Sequence, residues 1–499
     1  MADFDLAVIG GGLNGVSIAR DAAGRGLRVL LLEKGDLGSG ASATASPLIQ
    51  CDLRVLERGR FGEARRALVE RDAWFRAAPH QVRPVRVVVP MDSPLRPIWL
   101  WRLGLAVHDR LSADRARPRS EAVDLTHHRL GDPLKRPFGL AFAYGAGFAD
   151  SPRLTVLTAM DAARRGATIV TGARCIRADR SDIWRIVAVR RGQREIYSAR
   201  ALVNAAGGWL GTVAETVLRL KPPRIRLVLA SQIAVRRMFD HDSAYLLQQG
   251  DGRLVQVVPL DGKVTLIGSV ARPFTGDPAH AAVPAADALW LTRAANRYFR
   301  EQLEPTDVIH SLAGVHVFDA SSARTASRGE GVVRLERTFG EAPLLTSFGG
   351  DTTTARRQAE TAMAALAPFF AMPGPWTAQA ALPGGDVALG DVGGLVDGLQ
   401  ARWPFLTRET VRRLVSSYGT LSETILEGAR SRDDLGPDFG EGLSGREVDY
   451  LMAKEWARFA DDVLWRRSSL GLTMTEGRRE ALAVFMTTHH ASAEARPLQ

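Results

Sequence analysis

The sequence predicts a parallel α/β sheet that two insertions interrupt, with a helical domain behind it. Three observations predict it. Short apolar runs end in small residues at three places: Leu6-Ala7-Val8-Ile9 before Gly10, Ala201-Leu202-Val203-Asn204-Ala205 before Ala206-Gly207-Gly208, and Pro343-Leu344-Leu345-Thr346-Ser347-Phe348 before Gly349-Gly350. Such runs are what parallel strands buried on both faces look like. Their wide spacing implies one sheet assembled from distant segments. Beyond the breakers Pro373-Gly374-Pro375 and Pro383-Gly384-Gly385, residues 401–499 carry helical periodicity.

A chain of 499 residues exceeds one compact core and implies two or three domains. Its apolar share of 45% and charged share of 24% are those of an ordinary globular protein. The net charge is +10. The basic residues are scattered, without a tail or an aromatic-basic stripe, which argues against nucleic acid as a partner. Cys51 and Cys175 lie far apart without metal-ligand spacing, so no metal site is expected and a reducing, cytoplasmic compartment fits. The start, Met1-Ala2-Asp3-Phe4-Asp5, has no basic region and is not expected to be a signal peptide. No apolar run reaches the roughly 18 residues of a membrane span. The segment Ile98-Trp99-Leu100-Trp101-Arg102-Leu103-Gly104-Leu105 could lie in a membrane interface, but a helix packing its tryptophans inward is the expectation.

Element by element, Leu6–Ile9 is the first strand, about Leu13 to Gly24 a helix, and Arg28–Leu32 the second strand, one βαβ unit. Between them, Gly10, Gly12 and Gly15 give G-x-G-x-x-G. The first glycine permits a tight turn, the second admits a pyrophosphate to the backbone, and the third lets helix and strand pack closely. The helix N-terminus then presents free N–H groups to the phosphates. Ala19, Ala23 and Gly26 continue the small residues, and Glu33 closes the second strand where a carboxylate takes ribose hydroxyls. This is the Rossmann-type dinucleotide fingerprint. The helix after Gly350 is expected to run to about Leu366, and the last domain to hold helices Arg408–Tyr418, Glu423–Ala429, Arg446–Leu464 and Glu476–Thr487.

The fingerprint alone does not choose between FAD and NAD. Longer ordered stretches do: Val8-Ile9-Gly10-Gly11-Gly12-Leu13-Asn14-Gly15, Asp21-Ala22-Ala23-Gly24-Arg25-Gly26-Leu27, Leu53-Arg54, Phe348-Gly349-Gly350, Leu382-Pro383-Gly384-Gly385 and Trp456 through Arg467. On these the chain resembles the FAD-dependent glycerol-3-phosphate dehydrogenase and glycerophosphate oxidase family over nearly its whole length. The resemblance implies hydride transfer from sn-glycerol 3-phosphate to flavin N5 to give dihydroxyacetone phosphate, with electrons passed to quinone at the cytoplasmic face of a membrane, or to oxygen as in the oxidases. It implies a FAD-binding domain of residues 1–70, 141–214 and 336–371 and an interleaved antiparallel-sheet substrate domain of 71–140 and 215–335. A linker at 372–400 and the C-terminal helical domain at 401–499 complete it. FAD contacts are expected from Gly10, Gly12, Gly15, Glu33, Ser42, Thr44, Ser46, Ala206, Gly207, Gly349, Gly350, Thr352 and Thr353.

The substrate residues depart from the family pattern. Gln50 and Gln232 stand where the family has histidines, His316 where it has arginine, and Asp351 where it has lysine; Arg54 is kept. Arginine grips phosphate through a bidentate fork that His316 cannot reproduce. A phosphate dianion would meet Arg54 opposed by the Asp351 carboxylate. Two roles follow for that aspartate: helix N-cap, or partner to a neutral or cationic alcohol or amine. His316 is the candidate base for removing the hydroxyl proton. A non-catalytic FAD-binding paralogue is the third reading.

Overall fold

The computed structural model describes residues 2–51, 55–56, 59–91, 98–112, 119–135, 138–260, 262–320 and 331–494. Strand β1 (Phe4–Ile9) sends Leu6 and Val8 to one face and Ala7 and Ile9 to the other. All four are buried, as a central strand requires, each large side chain contributing about 1.5–3 kcal/mol. β2 (Val29–Glu33) and β10 (Gln193–Asn204) flank it in parallel, pairing Leu6 with Val29 and with Ala201. Outside them lie β7 (Thr168–Thr171) on one side and β17 (Leu344–Gly349) with β16 (Gly331–Glu336) on the other. β8 (Ala173–Arg180) and β9 (Trp184–Arg190) extend β10 as an antiparallel ribbon that covers one face, with Trp184 fully buried beneath it.

The other face carries α1 (Leu13–Gly24), α4 (Ser151–Arg164) and α6 (Ala355–Leu366). Ala19, Ala22 and Ala23 keep α1 slim enough to lie flat on the sheet. The expected first βαβ unit, the strand before Gly349 and the helix ending at Leu366 are all present.

The second sheet holds, among the described residues, β3 (Leu48–Ile49), β4 (Arg83–Pro90), β5 (Glu121–Asp124), β6 (Leu140–Phe148), β11 (Ile225–Arg236), β12 (Ala244–Gln248), β13 (Leu254–Leu260), β14 (Val264–Pro273) and β15 (Val308–Asp319). It is antiparallel except where β12 meets β4, and α5 (Ala285–Asn296) backs it. The domain boundaries therefore need correcting. β3 and β6, placed with the FAD domain as parts of 1–70 and 141–214, pair in the second sheet; β16, placed in 215–335, pairs in the first. An apolar run does not encode its partner, so sheet membership is decided by distant segments.

α2 (Phe61–Ala77) lies between the sheets, with Trp74 and Phe75 in the first core and contacts to β6, and α3 (Ile98–Leu111) packs on α2 and on the second sheet through Trp101 and Leu105. The expectation for α3 holds for one tryptophan only. Trp101 stacks on Phe142 (6.2 Å between centroids), whereas Trp99 is 65% exposed beside Ile98 and Leu103. Among the described residues no helix is long and apolar enough to cross a membrane.

The last domain begins earlier than its expected limit, with α7 (Val392–Arg402) starting inside the segment expected to be linker. α8 (Arg408–Tyr418), α9 (Ser422–Leu426), α10 (Gly445–Lys454) and α11 (Glu476–Glu494) follow. The helix expected over 446–464 stops at Lys454. Trp456 adopts a left-handed φ of 57°, and the Asp462 carboxylate then accepts the N–H groups of Arg458 (2.7 Å) and Phe459 (2.9 Å), starting a new turn. The domain touches both sheets: Glu455 pairs with Arg153 of α4 (2.8 Å), and Lys263 of the β13–β14 hairpin pairs with Glu441 (2.5 Å).

Candidate active site between the two sheets

β1, β10 and β17 are parallel neighbours, so their C-terminal ends reach the same rim. Gly10, Ala206–Gly207 and Gly349–Gly350 thus line one side of a cleft, and the second sheet lines the other. Ligands of open α/β sheets bind at this carboxyl edge. The cleft holds about 1540 Å³, more than the roughly 300–1,000 Å³ of a single small-molecule pocket, which leaves room for a dinucleotide and a small substrate before it.

The glycines are required by what surrounds them. Gly10 has a φ of +113°, and a Cβ there would stand 2.4 Å from the Ala205 carbonyl oxygen. A Cβ on Gly15 would stand 1.9 Å from the Gly10 carbonyl oxygen, so Gly15 serves helix–strand contact. Gly12 caps α1 without a side-chain bond, and no acid occupies the first turn, so the positive helix end faces the cleft. Ser42 Oγ accepts the N–H of Leu13 (3.0 Å), placing its hydroxyl at that helix end. Glu33 takes the N–H of Gly11 on Oε2 (2.6 Å) and that of Gly35 on Oε1 (2.7 Å). Burial raises its pKa, against these two bonds, which lower it. The carboxylate thus orders the turn at the cleft wall.

Other residues expected to contact the cofactor also line the cleft and make hydrogen bonds of their own. Ser46 Oγ donates to Gln256 Oε1 (2.7 Å) and accepts the N–H of Leu48 (3.1 Å), which ties the segment to the second sheet. Thr44 Oγ1 donates to the Ala41 carbonyl (3.4 Å) and packs against Gly314. Thr352 donates to Ser151 Oγ (3.2 Å); it and Thr353 are buried at the cleft wall.

On the substrate side the structure brings Gln50, Gln232, His316 and Asp351 to one cleft. Gln50 Oε1 accepts from the Tyr144 hydroxyl (2.8 Å). The buried Gln232 donates from Nε2 to the Thr44 carbonyl (2.9 Å), crossing from β11 to the loop behind the glycine turn. His316, half-buried on β15, lies opposite Val228. Arg54 lies outside the described residues.

Asp351 is not the N-cap of α6, which is Thr354. It caps the preceding turn, where Oδ1 accepts the N–H of Thr354 (3.1 Å). Its side chain is open to the cleft, yet protein encloses the cleft, and that burial pushes its pKa up to about 6 against the Thr354 and Thr353 hydrogen bonds.

Sequence reasoning assigned no role to Asn14, Tyr144, Lys34 or Trp209. Asn14 Nδ2 donates to the Gly349 carbonyl (2.9 Å), joining the first and third glycine-ended strands. Its place inside the glycine motif was the available signal. Lys34 sits over the Trp209 ring (3.3 Å), and Trp209 Nε1 donates to Asp277 (2.9 Å), which joins the two sheets' sides of the cleft beside Glu33. No local pattern announces that contact, because Asp277 comes from the second sheet's connections.

Comparison with known proteins agrees with this geometry. The family model of FAD dependent oxidoreductases matches residues 5–352, and that of the C-terminal domain of alpha-glycerophosphate oxidase matches 375–492. The glycerol-3-phosphate dehydrogenase of Pseudomonas aeruginosa is 41% identical, covering 98% of this chain and 96% of that protein. The D-erythritol 1-phosphate dehydrogenase of Brucella abortus is 38% identical over 96% of each. The aerobic glycerol-3-phosphate dehydrogenase of Escherichia coli is 35% identical over 98% of each. Among solved structures, glycerol-3-phosphate dehydrogenase from Bacillus halodurans complexed with FAD shares the fold with a TM-score of 0.71 at 22% identity, covering 98% of this chain and 94% of that one. The glycine cradle fits FAD, which when bound supplies the hydride acceptor. The chain belongs to the FAD-dependent oxidoreductase family, in the branch that carries the alpha-glycerophosphate oxidase C-terminal domain, and is similar to glycerol-3-phosphate dehydrogenase.

Proposed function

We propose that this chain oxidises the secondary alcohol of a small polyol phosphate, glycerol 3-phosphate first among candidates, and returns the electrons to a quinone. The observation that carries the reading is the position of His316 and Gln232 across the cleft from the glycine-ended strands, where a small alcohol would stand before the flavin. His316 is the base that takes the hydroxyl proton. Arg54 holds the phosphate, as the resemblance implies. Gln50, fixed by Tyr144, and Gln232 bond the substrate's polar groups. Close relatives named for glycerol 3-phosphate and for D-erythritol 1-phosphate support the polyol phosphate class. The outward face of α3, with Trp99 and Leu103 beside Arg102, rests on the cytoplasmic face of the membrane, where quinone is met.

One observation favours a second reading. Asp351 places a carboxylate in the cleft and makes no ion pair among the described residues, which suits a neutral or cationic alcohol or amine better than a phosphate.

Anaerobic titration of the purified holoprotein decides. Glycerol 3-phosphate or a tetritol phosphate should bleach the visible flavin band, and His316→Ala should slow that bleaching. Bleaching by amines or unphosphorylated polyols alone would establish the second reading. Bound flavin that no substrate reduces would leave a binding protein.

A further inference from the structure

The ribose-binding turn is short and does not hold itself. After Glu33 the chain runs Lys34-Gly35-Asp36-Leu37-Gly38 and returns to the glycine loop, where the Gly38 N–H donates to the Gly11 carbonyl (3.0 Å). Leu37 is fully buried against Gly11; a Cβ on Gly11 would come within 2.9 Å of Leu37 Cδ2. Position of this turn and position of Gly11 are therefore one variable. Asp36 stands at its apex, and its carboxylate points away from the cofactor into the C-terminal domain.

There it meets two guanidinium groups. Arg466 donates through Nε and Arg467 through Nη1, both to Asp36 Oδ2. Arg467 has no side-chain exposure and Asp36 only 8%, so these charges act with little solvent screening. The arginines are themselves fixed: Arg466 by Asp462, Arg467 by the Glu455 carbonyl. Glu455 in turn pairs with Arg153 on α4 (2.8 Å), whose first residue, Ser151, lines the cleft and accepts from Thr352. Two walls of the cofactor cleft are thus anchored on one buried charge network that begins in the last domain.

We propose that the C-terminal helical domain is a positioning element of the FAD site, with Arg466 and Arg467 holding Asp36 and so setting the ribose turn against the glycine loop. The domain's contact with the first sheet then sets affinity for the adenosine half of the dinucleotide. Asp36, Arg466 and Arg467 are positioning residues; none needs to touch FAD.

The test is FAD affinity of the full-length apoprotein, followed by flavin fluorescence, with ADP as the probe of the adenosine half. Arg466→Gln leaves the Arg467–Asp36 pair to support the fold and should weaken FAD and ADP by the same factor, about tenfold. Arg466→Lys should recover most of that loss, and FMN, which lacks the adenosine, should bind all variants equally. Asp36→Asn should weaken FAD further; if it does not fold, the Arg466 pair still decides. A purely structural contact would lower the melting temperature of the apoprotein and leave both affinities within twofold at 20 °C. That result, or a loss of FAD affinity without a matching loss of ADP affinity, overturns the proposal.

Discussion

The side chain of Asn14, two residues into α1, donates a hydrogen bond of 2.9 Å to the carbonyl of Gly349 at the end of β17. Two residues 335 apart in sequence are thereby bonded, which holds the start of α1 and the end of β17 at one spacing beside the cleft. Asn14→Ala should leave the fold intact and weaken FAD about five- to tenfold, the value of one hydrogen bond of about 1–1.5 kcal/mol. Equilibrium titration of the apoprotein measures it.

Gly15→Ala should give protein that purifies without flavin. The added methyl would overlap the Gly10 carbonyl oxygen at 1.9 Å, and backbone there cannot move without disturbing β1. Comparing the flavin to protein absorbance ratio of variant and parent tests this directly.

The Asp351 carboxyl, raised to about 6 by burial, holds its proton more tightly in the folded chain than in the unfolded one. Its contribution to stability is complete below the ordinary carboxylate range and is lost as pH rises through about 6. The flavin reduction rate should show an ionisation near pH 6 that disappears in Asp351→Asn. If the substrate is a phosphate, Asp351→Lys should lower its KM by about tenfold, since one repulsive charge becomes attractive. A rise in KM would support the amine reading.

His80 carries the opposite sign. Its ring is buried where Gly384 and Gly419 cross, both nitrogens lack a partner among the described residues, and burial with the nearby Arg153 pushes its pKa down to about 3. The unfolded chain therefore binds a proton here that the folded chain refuses. Stability is unaffected above about pH 6.5 and falls toward pH 3, by roughly 3–5 kcal/mol in total. His80→Leu should flatten the acid limb of the unfolding curve, read as urea midpoints at pH 7 and pH 4.5.

On α3, the double change Trp99→Ser and Leu103→Ser removes apolar groups that are 65% and 54% exposed. It should leave stability within about 0.5 kcal/mol. Flotation with anionic vesicles should fall several-fold, and binding of the parent should weaken in high salt. Equal flotation of both proteins would refute a membrane role for this face.

What was legible in the sequence was what neighbours encode. The strand β1, the turn at Gly10 and the helix α1 lie within about twenty residues, and alternation, glycine spacing and small residues state them together. Arg408–Tyr418 was equally clear, because a polar face and an apolar face repeat along it. Sheet membership was not. Ala141, Phe142, Ala143 and Tyr144 form an apolar run that would suit either sheet, and its pairing with Val87 and Val88 is decided 50 or more residues away. The partner of Ser46 was hidden for the same reason: Gln256 belongs to a strand more than 200 residues later. The Arg446–Leu464 helix failed locally, where Asp462 captures two N–H groups and outbids continued helix.

The neighbours of β1 set a timetable. Phe4 pairs with Ala199 of β10 on one side, and the next strand of that side, β17, ends at Gly349. At about 5–20 residues per second, the ribosome needs about 10–40 s to supply β10 after β1 has emerged. Through that interval the first strand offers one paired edge and one open edge, with Leu6, Ala7, Val8 and Ile9 along it. Growing chains are therefore most exposed to aggregation before residue 204, and the flavin cradle closes only when about 70% of the chain has been made.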